Sequence, residues 1–139
     1  MSKLSLKITN QLLWTAQILV ALLFIFAGSM KFIMPADKMQ QGPIVFSIAF
    51  YHFIGICECL GALGLVLPGL TRIQTWLTPV AAGGLTIIMI GATTVTVLSM
   101  GSAAAILPAV VGVLTTWIAY ARTNVAPLAD APRRTLRAA

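Results

Sequence analysis

The side chains able to do chemistry cluster in one apolar stretch, FYHFIGICECLGALGLVLPGL (residues 50–70). It holds Tyr51, His52, Cys57, Glu58 and Cys59, and Glu58 has no charged neighbour in sequence. On a helix at 100° per residue, Tyr51, Gly55, Glu58, Ala62 and Leu65 share a face, with Gly61 at its edge. His52 and Glu58 are about 240° apart on that wheel, so they form neither a catalytic nor a metal pair on one helix. Cys57 and Cys59 point about 200° apart, too divergent for a disulfide without unwinding. The stretch has no C-x-x-C redox motif, and both thiols read as small apolar filler. One His and two diverging Cys do not make a closed metal site. An interfacial position explains His52, with a quinone headgroup or metal contact as its alternative. No residue set has the spacing of a catalytic constellation, a haem ligand pair or a flavin fingerprint, so a self-sufficient enzyme is not expected.

The elements that must position Glu58 follow from composition. Of 139 residues, 59% are hydrophobic and only 9% charged, against about 25% charged in soluble domains. That balance excludes a water-facing globule. Four apolar runs reach or approach the length of about 20 residues that a bilayer requires: 12–32, 50–67, 73–98 and 103–120. The expected fold is therefore an all-α integral membrane four-helix bundle over residues 1–121. Residues 122–139, polar and basic with Pro127 and Pro132, are read as a disordered tail. The first run is longer than a signal-peptide core and is read as a retained helix.

Orientation follows from the cations. Four passes put Lys3, Lys7, Arg72, Arg122, Arg133, Arg134 and Arg137 on one side and Lys31 and Lys38 on the other. Both termini are accordingly expected in the cytoplasm, in a bacterial plasma (inner) membrane. Trp14, Trp76 and Trp117 fall at the same side, as an interfacial belt requires. The net charge of +6 is a topology signal; no basic stripe alternates with aromatics, so nucleic acid is not an expected partner.

A carboxylate near mid-membrane must pair, neutralise or line a wet cavity. Lys31, late in the first helix, is the basic residue that can reach Glu58. Side chains tilt toward their own helix N-terminus, so on antiparallel helices Lys31 and Glu58 lean toward each other across a level difference of roughly 10 Å. The pair reads either as a structural clamp between the first two helices or as a proton- or ligand-handling site. Tyr51, His52 and Gln17 are the candidate ligand-binding neighbours. Gly28, Gly55, Gly61, Gly64 and Pro68 are candidate packing positions, because small residues let membrane helices approach closely. On the third run, Pro79, Ala82, Gly83, Thr86, Ile90 and Thr93 form a small and hydroxyl face, read as a packing seam.

Three stretches carry a resemblance: FAGSMKF (26–32), IGICECLGALGLVLPGL (54–70) and LTPVAAGGLTIIMIGA (77–92). In order and content they resemble the DoxX-like family of small four-helix membrane proteins, over roughly residues 10–121. The resemblance implies that Lys31 and Glu58 occupy the family's charged positions, and Gly28, Gly61, Gly64 and Pro68 its packing positions. Relatives often carry a polar or histidine residue late in the third helix; GATTVTVLSMG (91–101) has hydroxyls instead, so no proton or metal role is placed there. The family takes its name from a subunit associated with quinone-linked sulfur oxidation. The implied function is a non-catalytic accessory subunit of a quinone-linked redox system, with quinone as the candidate ligand. Its alternatives are a membrane-protein assembly or chaperone factor and a small proton-coupled permease. The expected partners are the lipid bilayer and other membrane subunits or further copies of the chain.

Overall fold

The computed structural model describes residues 2–132. Five helices account for most of them: α1 (Lys3–Ile33), α2 (Ala36–Met39), α3 (Ile48–Thr71), α4 (Leu77–Met100) and α5 (Ile106–Asn124). There are no strands among the described residues. All but the single-turn α2 are long and apolar enough to cross a membrane. They run antiparallel in chain order, α1 against α3, α3 against α4 and α4 against α5, with α5 closing less extensively on α1. The start of α1 and the end of α5 therefore lie at one end, called here the terminal end.

Helical hydrogen bonding extends beyond the apolar runs. α1 begins nine residues before its hydrophobic stretch, where the Ser2 side chain caps the helix by accepting from the Ser5 amide at 3.2 Å. At 31 residues it is roughly 46 Å long, more than one hydrocarbon core, so its first turns stand in the interface. α3 starts on a similar cap, Ser47 accepting from the Phe50 amide. It ends where Arg72 turns left-handed, with φ 54°. Gln74 is also left-handed, so α4 begins at Leu77 although apolar sequence resumes at Ile73.

Inward stripes repeat every three or four residues, as packed helices require. On α1 they are Leu13, Gln17, Val20, Phe24 and Gly28; on α3, Gly55, Glu58, Ala62, Leu65 and Pro68. On α4 they are Thr78, Ala82, Leu85 and Met89; on α5, Val111, Thr115, Ile118 and Arg122. The outer faces remain apolar: Leu22, Phe26, Leu60, Ile87 and Val113 are all exposed, the surface a bilayer would cover.

Glycines set the close approaches on both sides of α3. A Cβ on Gly28 would lie 2.7 Å from Cys59 Sγ and 2.8 Å from the Gly55 carbonyl oxygen. One on Gly61 would strike Leu85, and one on Gly64 would come within 2.7 Å of Ala81 Cβ. Gly83, by contrast, faces open space, and Ile90 is exposed. The close contact of α4 is thus the Thr78–Ala82–Leu85–Met89 stripe, rotated from the face expected by composition; of that face, Ala82 is buried and Thr86 bonds across to Thr115 at 2.9 Å.

The sequence-based tail boundary at residue 122 needs correction. Arg122 lies inside α5 and is 2% exposed. Beyond the helix, the chain returns across the terminal end as a strap. Thr75 Oγ1 donates to the Leu128 carbonyl at 2.9 Å, the Thr75 amide donates to Asp130 Oδ1 at 2.8 Å, and the Ala131 amide donates to the Arg72 carbonyl at 2.8 Å. Backbone satisfaction, which composition does not report, holds this segment in place. The remainder of that tail, residues 133–139, lies outside the described residues.

Candidate functional site

Lys31 and Glu58 meet. Lys31 Nζ donates to Glu58 Oε2 at 2.6 Å, with side chains 25% and 4% exposed respectively. α1 and α3 can bring them together because Gly28 and Gly55 let the two backbones touch just below the pair. Lys31 Nζ also lies 3.5 Å from the Ala27 carbonyl oxygen, at the limit of a hydrogen bond. An ammonium has three protons to give, so the pair leaves it with donor capacity. Glu58 Oε1 has no hydrogen-bond partner among the described residues.

Both side chains line a pocket of about 400 Å³ between α3 and α4. Phe46, Phe50 and Tyr51 line its aromatic part, and Ile54, Ile88 and Val95 contribute aliphatic wall. The edge-on contact of Phe46 with Tyr51, centroids 6.0 Å apart, ties the loop before α3 to the helix. The volume falls in the range of small-molecule sites, which are mostly apolar with a few convergent polar groups. Here those groups are an ammonium and a carboxylate side by side, with the Tyr51 phenol on the same face of α3.

The other candidates go elsewhere. His52 stacks on Phe32, centroids 4.9 Å apart and planes 16° apart, and does not line the pocket. Gln17 is on the inward stripe of α1 but belongs to a second polar centre, at the level of Leu65. Its amide donates to the Leu65 carbonyl of α3. Its Oε1 accepts from Arg122 Nε at 2.6 Å. Cys57 and Cys59 are free thiols, both partly buried.

A larger groove, about 880 Å³, opens between α4 and α5. Its threonine hydroxyls are already committed: Thr86, Thr93, Thr94 and Thr116 donate to the carbonyls of Ala82, Met89, Ile90 and Gly112. It offers no convergent charge, so the smaller Lys31–Glu58 pocket is the stronger candidate despite its size.

Arg122 is the residue that sequence reasoning missed. Its signal was present: Val111, Thr115, Ile118 and Arg122 are spaced four, three and four apart, so Arg122 continues the inward stripe of α5. Its charge and the prolines that follow had placed it in the tail.

Comparison with known proteins agrees with this architecture. No match to a curated protein or to a solved structure was found. The profile of the DoxX-like family matches residues 15–118, well over half of the chain and reaching into all four long helices. The chain belongs to the DoxX-like family of membrane proteins.

Proposed function

We propose that this protein is a non-catalytic accessory subunit of a quinone-linked membrane redox system, and that the Lys31–Glu58 pocket holds the quinone headgroup. The observation that carries the reading is an ion pair lining an otherwise apolar pocket at membrane depth. A quinone matches it in chemistry. One carbonyl oxygen would accept from the Lys31 ammonium, the ring would pack among Phe46, Phe50 and Tyr51, and a hydroquinone hydroxyl could donate to Glu58 Oε1. In a low-dielectric site such hydrogen bonds are stronger than in water. The protein would bind and orient the quinone; electrons would come from a partner subunit, because no redox group is expected in this chain.

The setting proposed is a bacterial plasma membrane with both termini cytoplasmic, supported by the seven-to-two asymmetry of its cations. The four long helices, from Lys3 to Asn124, would carry the function, with partner subunits meeting their outer faces.

The test is titration of the purified protein in uncharged detergent with a short-tailed benzoquinone, followed by calorimetry. Glu58→Gln and Lys31→Met are each expected to weaken binding about tenfold, the loss of one charge-assisted hydrogen bond. Equal affinity in wild type and both variants would overturn the reading and leave the pair as a clamp between α1 and α3.

A further inference from the structure

A second polar centre lies at the terminal end, about 21 Å along α1 from Lys31, and the proposed function does not use it. Arg122 is its focus. Nε donates to Gln17 Oε1, and Nη1 donates to Asn10 Oδ1 at 2.6 Å and to the Ala126 carbonyl at 3.1 Å. The guanidinium carbon lies 5.5 Å from the centre of the Trp14 ring, a cation–π distance. Every one of these partners is neutral.

Among the described residues the charge is therefore not balanced locally. The sequence has three acidic side chains, Asp37, Glu58 and Asp130. Glu58 is engaged by Lys31, Asp37 is on α2 beyond the far end of α1, and Asp130 accepts from Thr75. None forms an ion pair with Arg122 among the described residues. Nη2 is buried and has no hydrogen-bond partner among the described residues. Thr78 Oγ1 is buried without one as well. The register of α4 on α5, with Met89 against Gly112 and Thr86 bonded to Thr115, puts Thr78 level with the last turn of α5. Two orphaned polar atoms thus share one level of the bundle.

A buried cation without a counter-ion is costly, and a guanidinium matches an oxyanion in geometry and charge. The surroundings favour such a ligand. Lys3, Lys7 and Arg72 are exposed at the same end and add to a positive field. We propose that Arg122 anchors an anion site, in which Nη2 takes an oxygen of a phosphate group beneath the strap of residues 125–131. Ala126 is the part of the strap that touches the guanidinium, and it would have to move outward to admit the ligand. The phosphate could belong to an anionic lipid headgroup or be free in solution.

The experiment uses the full chain in uncharged detergent with Trp76→Phe and Trp117→Phe. Of the three tryptophans, this leaves Trp14, under the guanidinium, as the reporter. Phosphatidylglycerol, inorganic phosphate and phosphate-free diacylglycerol are titrated separately. A saturable change in Trp14 emission with phosphatidylglycerol alone assigns the site to lipid, and the same change with inorganic phosphate assigns it to the free ion. Arg122→Gln should weaken the response about tenfold, and Arg122→Lys, which keeps the charge without the fork, less. The proposal fails if neither phosphate source changes the emission, if diacylglycerol does so equally, or if Arg122→Gln leaves the affinity unchanged. Should Arg122→Gln not fold, the Trp14 titrations with native Arg122 decide alone.

Discussion

Replacing Lys31 by Met and Glu58 by Gln, singly and together, probes how strongly the charged pair joins α1 to α3. Lys31→Met leaves a carboxylate that is only 4% exposed without its partner. Stranding a buried charge costs about 3 kcal/mol or more, and the lower figure is expected. Glu58→Gln leaves Lys31, whose side chain is 25% exposed and can turn toward the interface; about 1.5 kcal/mol is expected. The double variant strands nothing and should lose about 2.5 kcal/mol in total, so the coupling energy is about 2 kcal/mol. Equilibrium unfolding in mixed micelles, with SDS as the denaturant, measures all four proteins. Additive losses, with coupling below about 0.5 kcal/mol, would refute the claim that the 2.6 Å contact holds the two helices together.

Other expectations follow from the packing. Gly28→Ala should destabilise by about 1–3 kcal/mol, because its Cβ would meet the Gly55 backbone oxygen at 2.8 Å, and backbone cannot step aside; the same mixed-micelle titration reads it. Gly84→Ala should be neutral or stabilising by up to about 1 kcal/mol, since nothing lies within 4 Å of the added methyl group, and a marked loss in that titration would show the face to be covered. Gln17→Leu should cost about 2–4 kcal/mol, because both Arg122 Nε and the Leu65 carbonyl lose their partner; thermal unfolding in detergent checks it. Thr75→Val removes the bond to the Leu128 carbonyl and should leave the bundle folded while speeding amide exchange at Ala131, read by hydrogen–deuterium exchange.

Much of the fold was legible because membrane helices announce themselves by length and composition. Glu58 and Lys31 stood out for the same reason: a charge inside an apolar run has few explanations, and side-chain tilt on antiparallel helices brought the two together. Helix ends were less legible. The polar first turns of α1 are helical through a serine cap, and the start of α4 is fixed by left-handed residues 72 and 74, which hydropathy does not register. The seam on α4 was misplaced because small residues mark a capacity for close packing, and Gly83 does not use it. Gln17 was expected as a neighbour of the Lys31–Glu58 pair but bonds to Leu65 and Arg122 instead. The burial of Arg122 depends on contacts from α1, the Trp14 ring and the strap, all distant in sequence. His52 likewise stacks on Phe32 of α1 rather than facing the pocket, a choice that only the packed bundle determines.

The central claim is that the pocket beside Lys31 and Glu58 holds a quinone-type ligand for a redox partner. The most direct measurement is native mass spectrometry of the protein extracted gently from its own membranes. A bound quinone, lost in Glu58→Gln, or a redox subunit in fixed stoichiometry is the predicted result. A protein that carries neither, seen only as monomer or homo-oligomer, would contradict the account.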